Sequence, residues 1–335
     1  MRRSLSLAST LALAAALVGC GGSTGGGGGG GSAGGGGSKN WLAGDKGTLA
    51  ASSDGVHYAA RQSGTSADLL TLFCVGQQVG WTAGAGGIML TTVDGGLDWT
   101  ARTTGVTTTL RAVAFADNFF GFAAGDASTL LVSSDSGTTW STISVPDLAA
   151  GTTLRAAAVA SDRSRAWIAG DDVLLVSSDG GRNFAAATGL PANTWRGVRF
   201  AADARHGVLV GDGGQVMLSS DGGDSWTAAT TAPADLRGVS ISNDGSRIVA
   251  VGTGGLVWRA TNVGNSGASF TRVGSGSADL SAIGFSDYWS VDSLPNEGWA
   301  VGAAGTILHT LDGGATFAPV ASPVTVDYTA IEDLG

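Results

Sequence analysis

The sequence predicts an all-β protein, a seven-bladed β-propeller whose C-terminal strand closes the first blade. Three observations carry this. A turn motif of the form Ser/Thr-x-Asp-x-Gly-x-x-aromatic stands at Thr92–Trp99, Ser133–Trp140, Ser177–Phe184, Ser219–Trp226 and Thr310–Phe317. A shortened copy stands at Ser52–Tyr58, and a decayed one follows Asn262, with its aromatic displaced to Phe270. The acids or their replacement fall at 54, 94, 135, 179, 221, 262 and 312, with gaps of 40, 41, 44, 42, 41 and 50 residues. A fixed period near 42 residues is the mark of a repeat architecture, and four short strands per period fit a propeller blade. The repeats are also circularly shifted. The chain enters at a second strand near Trp41 and leaves with a first strand at Tyr328, so its two ends complete one blade and leave no free edge there.

In chain order, residues 1–19 read as a lipoprotein signal peptide. Arg2 and Arg3 precede the apolar run Leu5–Val18, which is too short for an ordinary membrane span. Leu17-Val18-Gly19-Cys20 resembles a bacterial lipobox, which implies cleavage before Cys20 and a diacylglycerol on its sulfur. The alternative is an ordinary signal peptide whose apolar region ends in Cys. Gly21 follows the cysteine in place of the Asp that retains Gram-negative lipoproteins in the inner membrane, so in a cell with two membranes the outer membrane and periplasm are the expected location. Residues 20–38 comprise the lipidated Cys20 and a Gly/Ser-rich tether. Its eighteen residues after Cys20 would span roughly 25 Å as a flexible coil.

Residues 39–335 form the propeller. First strands open on a large apolar residue, as in Leu110-Arg-Ala-Val-Ala-Phe115. Second strands end in a small-residue turn, as in Gly298-Trp-Ala-Val-Gly302. Third strands run into the Asp turn, and fourth strands leave it. Each type recurs seven times. Asp54, Asp94, Asp135, Asp179, Asp221 and Asp312 are read as structural: a short carboxylate in a hairpin accepts the turn's own N–H groups, and the Gly supplies positive φ. Blade seven carries an insertion, Ser286–Glu297, which places Tyr288 and Trp289 in a candidate contact loop. Cys74 lies in an apolar run and is expected to be a buried thiol outside any disulfide.

A net charge of −9 argues against nucleic acid as a partner. Within this acidic chain, the second residue of the first strand is Arg in four consecutive blades: Arg111, Arg155, Arg196 and Arg237. First strands line a propeller's channel, and their starts lie on the face opposite the Asp turns. The four therefore form an arc at one channel mouth, suited to carboxylates or phosphates on a partner. The alternative is that each pairs with a neighbouring Asp or caps a strand end. Catalysis finds little support. Glu297 and Glu332 are the only glutamates, and His57, His206 and His309 the only histidines. No zinc-type cluster, phosphate loop or nucleophile elbow is present, so no metal or cofactor is expected. A sialidase-like pairing of Tyr288 with Glu297 or Asp287, or an acid at Glu332, is the enzymatic alternative.

The segment Gly298–Phe317 (GWAVGAAGTILHTLDGGATF) resembles the repeat of the photosystem II assembly/stability factor family, a group of Asp-box (BNR-repeat) propellers. The resemblance extends over all seven units. It implies a non-enzymatic scaffold that binds other proteins, with the family's channel-side arginine patch at Arg111, Arg155, Arg196 and Arg237. The sequence departs from the family at Asn262 and in the Ser286–Glu297 insertion. The expected protein is thus a monomeric, lipid-anchored envelope scaffold whose partners are envelope or membrane proteins. A glycoside hydrolase or carbohydrate-binding propeller is the alternative.

Overall fold

Runs of alternating small and β-branched or aromatic residues, punctuated by Gly-containing turns, can bury both faces only by stacking sheet on sheet. A computed structural model shows that they do so around a ring; it describes residues 39–263, 269–274, 276–286 and 296–333. Among these, 28 strands form seven four-stranded antiparallel sheets. No α-helix occurs among the described residues, only short 3-10 turns. The inner strands are Leu69–Val75, Leu110–Phe115, Leu154–Val159, Trp195–Phe200, Leu236–Ile241, Leu280–Phe285 and Tyr328–Asp333. Each packs beside the next, and Tyr328–Asp333 packs beside Leu69–Val75, so the ring is closed.

Closure occurs in the blade read from the two chain ends. Tyr328–Asp333 pairs antiparallel with Asn40–Gly44, with Asn40 opposite Asp333 and Leu42 opposite Ile331. This blade differs internally from its neighbours. In blades three, five and seven an inner-strand Phe covers a second-strand Gly: Phe115 covers Gly121, Phe200 covers Gly207 and Phe285 covers Gly298. In the closing blade Asp333 and Asn40 hold those two places, both buried. Cys74 is buried and donates its thiol to the Asp333 carbonyl (3.4 Å).

Between blades, second-strand tryptophans bear the Asp turn of the following blade. The Trp81 indole N–H donates to the Ser136 carbonyl (2.9 Å), Trp167 to Gly222 (2.9 Å) and Trp299 to Gly55 (2.7 Å). Trp81 and Trp167 stack on Phe115 and Phe200 at 3.6 and 3.7 Å between ring centroids. The three tryptophans are fully buried, and such large rings contribute strongly to the packing between blades.

The Asp turns satisfy themselves. In the Ser219–Trp226 copy, the Ser219 hydroxyl donates to Asp221 Oδ1 (2.8 Å) and accepts from the Gly223 N–H, while Asp221 accepts from the Ser225 N–H and hydroxyl. The Ser225 hydroxyl and N–H bonds lower the Asp221 pKa to about 2. Asp179, bonded by the Asn183 N–H and side chain, is likewise lowered to about 2. Asp54, Asp94, Asp135 and Asp312 accept N–H groups of their own turns in the same way. Their oxygens are engaged by the turn that carries them.

Candidate functional site

The site begins with a break in the ladder. In all seven blades the inner strand slips register after its first residue: Leu110 pairs with Gly125, but Ala112 with Ala124. The same shift spans Leu69/Thr71, Leu154/Ala156, Trp195/Gly197, Leu236/Gly238 and Leu280/Ala282, and Tyr328/Ala330 opposite Gly44/Ala43. The second residue is therefore a β-bulge in every blade, and a bulge re-aims its side chain out of the pleat. The glycine ending each second strand makes room for it. A Cβ on Gly125 would lie 2.0 Å from the Thr109 carbonyl oxygen, and one on Gly252 1.8 Å from that of Asp235.

Four of the bulged residues are Arg111, Arg155, Arg196 and Arg237, and all four line the central cavity, whose volume is about 250 Å³. Small residues follow at the next position: Thr71, Ala112, Ala156, Gly197, Gly238, Ala282 and Ala330. They keep the bore open, with room for several waters. The mouth lies on the face away from the Asp turns, because it is built from the turns between second and third strands and from the approaches to the inner strands.

The arc is not a field of unpaired positive charge. Arg111 Nε donates to Asp126 (2.5 Å) and its Nη2 to the second oxygen (2.9 Å). Arg155 makes the same fork to Asp171 (2.7 and 3.1 Å) and Arg196 to Asp212, while Arg237 pairs with Asp279 (3.1 Å). The Arg155 hydrogen bonds hold Asp171 below the ordinary carboxylate range, and those of Arg196 do the same for Asp212. The pairs are half-buried at the mouth, where a guanidinium keeps donors beyond those spent on its fork.

A fifth arginine, Arg199, was not singled out by the four-blade pattern. It stands at the fifth position of its inner strand, lines the same cavity nearer the Asp-turn end, and is exposed. Its Nη1 donates only to main-chain carbonyls, of Ala157 (3.3 Å) and Val198 (3.2 Å). The signal was available. Aligned fifth positions read Phe73, Ala114, Ala158, Arg199, Ser240, Gly284 and Glu332, and a charge there must face the bore. Glu332 does line the cavity and is the one carboxylate among the described lining residues.

Glu297 lies elsewhere. It is buried at the edge of blade seven, where it accepts from Lys39 Nζ (2.5 Å) and bonds His309 Nε2 (2.8 Å). Burial alone would raise its pKa; these two partners overcome that and hold it low. His309 stacks on Trp299, over which Lys39 Nζ also sits at 5.3 Å. The cluster pins the root of the propeller. Tyr288, Trp289, Asp287 and Cys20 lie outside the described residues. No group of three His, Cys, Asp or Glu suited to a metal ion occurs among the described residues.

Residues 99–193 match the family described as photosynthesis system II assembly factor YCF48. The propeller is similar to the YCF48 assembly factors. A YCF48 solved bound to D1 peptide aligns over 76% of this chain and 80% of its own, at 22% identity and a TM-score of 0.58. YCF48 from Cyanidioschyzon merolae aligns over 76% and 86%, at 21% identity and a TM-score of 0.59. An ancestral GH74 enzyme shares the fold at 16% identity and a TM-score of 0.58, over 72% of this chain but 36% of its own. No curated protein matches the chain by sequence.

Proposed function

We propose that this protein is a lipid-anchored envelope scaffold that captures an acidic segment of a partner protein at the arginine mouth of its channel, without catalysis. The observation that carries this is the bulged arc. Four guanidiniums on consecutive blades converge on one cavity, with Arg199 deeper inside it. An incoming carboxylate can bridge the Arg donors left over by the forks or exchange with an Asp, and the backbone bulge holds the arginines in place either way. The YCF48 structure with a D1 peptide is a peptide-bound propeller of the same fold, which fits this mode of use. The sequence-level lipobox at Cys20 and the tether supply the anchoring part of the reading.

A glycosidase needs two carboxyl groups facing one bond. The cavity offers Glu332 alone among its described lining residues, and Glu297 is occupied by Lys39 and His309 at the blade edge.

Fluorescence anisotropy with a labelled acidic peptide tests the reading. Arg155→Ala with Arg196→Ala should weaken binding roughly tenfold or more, as loss of interfacial charge partners does. The same pair should leave the melting temperature nearly unchanged, since half-exposed ion pairs contribute at most about 1 kcal/mol. A large loss of stability with intact binding would assign the arginines a structural role. Binding of sialosides or polysaccharides in place of peptide would overturn the proposal.

A further inference from the structure

The exposed large apolar side chains of the described residues are Val56, Val93, Leu97, Phe119 and Leu311. All five stand on the Asp-turn face. Val56, Val93, Leu97 and Leu311 belong to the Asp turns of blades one, two and seven. Phe119 precedes a second strand in blade three, and its carbonyl accepts from the Ser136 N–H of that blade's Asp turn (3.0 Å). The blades are consecutive around the ring: seven, one, two, three. Exposures of 70% for Val93, 65% for Leu97, 63% for Leu311 and 60% for Phe119 mark side chains left mostly open to solvent.

The rest of this face is built differently. At the turn positions where blade two has Val93 and Leu97, blade four has Ser178 and Arg182, and blade five has Ser220 and Asp224. Arg165 forks onto Asp224 in this sector. Single exposed apolar residues are ordinary on a protein surface; their gathering on one arc of one face is not.

The point at which the sequence enters the propeller bears on what meets this arc. Lys39 lies where blades seven and one of the arc meet. Its N–H donates to the Ser52 carbonyl beside the blade-one Asp turn, and its Nζ reaches Glu297 in blade seven. The Gly/Ser-rich segment 21–38 precedes Lys39 in the sequence, so an anchor at Cys20 would lead into the propeller at this point. We infer that the apolar arc docks against the lipid bilayer, with Val93, Leu97, Phe119 and Leu311 entering the headgroup–acyl boundary. This rests on the anchoring at Cys20 proposed above. The lipid is zwitterionic: the chain carries a net charge of −9, so an anionic surface would repel it. The Asp turn carboxylates beside the apolar side chains accept hydrogen bonds within their own turns and need little from the headgroups. In this orientation the arginine mouth faces away from the membrane.

The test uses the full chain purified from membranes, returned to phosphatidylcholine vesicles with brominated acyl chains. A bimane is placed at Ser53→Cys, an exposed position inside the arc, or at Thr107→Cys, exposed on the opposite face. The label at 53 should lose most of its emission to the bromolipid and the label at 107 none. Adding Val93→Asp and Leu311→Asp should restore the emission at 53 while the chain still floats with the vesicles. A chain that floats with position 53 open to aqueous iodide overturns the docking alone. Position 53 shielded from both quenchers means that a protein covers the arc, which also overturns it. A chain that does not float overturns the docking together with the anchor.

Discussion

The two halves of the arginine-side rim place their aspartates in different positions. Before the inner strands of blades three, four and five stand Thr109, Thr153 and Thr194; the acid sits instead in the blade's own turn, at Asp126, Asp171 or Asp212, and forks onto Arg. Before those of blades six, seven, one and two stand Asp235, Asp279, Asp327 and Asp68. Each reaches back across the blade junction and accepts a main-chain N–H from the preceding blade: from Gly213, Gly254, Ala304 and Lys46, all at 2.8 Å. Two of these N–H groups belong to non-glycine residues held at positive φ, Ala304 at 53° and Lys46 at 55°. Asp279 does both jobs, since it also meets Arg237. The difference separates a rim that can exchange partners from a rim that cannot. A fork between two side chains can yield one member to an incoming anion, whereas a carboxylate clasping backbone holds two blades together. The acid half also crowds: burial, with Asp68 and Asp327 nearby, raises the Asp45 pKa.

Charge reversal should break the comparison most strongly. Arg155→Glu with Arg196→Glu sets new carboxylates against Asp171 and Asp212, and acidic-peptide binding should fall about 100-fold or more, given about 2–5 kcal/mol per disrupted charge partner. Anisotropy titration reads this, and retained affinity would remove the arc from the contact.

Next comes the clasping half. Asp327→Ala should cost about 1.5 kcal/mol in urea unfolding, the usual worth of a hydrogen bond to a charged group. Asp171→Ala should cost less than about 1 kcal/mol, as for a half-exposed ion pair. Equal losses would erase the distinction between the two halves.

The smallest effect is in pH. Asp171 and Asp212 have folded pKa values depressed below 3.8 by Arg155 and Arg196. Depressed carboxylates contribute stability that is present above the unfolded value and lost as pH falls through the folded value. The small melting-temperature difference expected between wild type and Arg155→Ala/Arg196→Ala should therefore stay constant from about pH 5 to 8 and vanish below the ordinary carboxylate range. A gap that widened on acidification would contradict this assignment of the pairs.

Much of this was legible before any coordinates. The Asp markers counted the blades, and the match between Trp41 and Tyr328 located the closure, because repeats expose a missing strand as a gap in a series. The arginine positions were legible for the same reason. Their partners were not: Asp126 and Asp171 sit in turns that read as generic small-residue loops, and the partner of Arg237 belongs to the next blade. Nor does a bulge show in composition, since it is a property of how two strands are paired. Arg199 escaped because it occurs in one blade only, and a search for recurrence passes over a singular residue. The exposed Val93 and Leu311 are not legible in the same way, because they occupy the variable position before the recurring acid.

The closing blade also sets a schedule. Its inner strand, Tyr328–Asp333, is synthesised after every other described strand, while its remaining three are synthesised first. Until that strand emerges, Asn40–Gly44 has an unpaired edge and the Trp41 side of the ring lacks its inner wall. The growing chain can form six blades in sequence, but the circle stays open until Tyr328–Asp333 is made. A chain halted just before that strand would hold six complete sheets and a three-stranded first blade, an open ring.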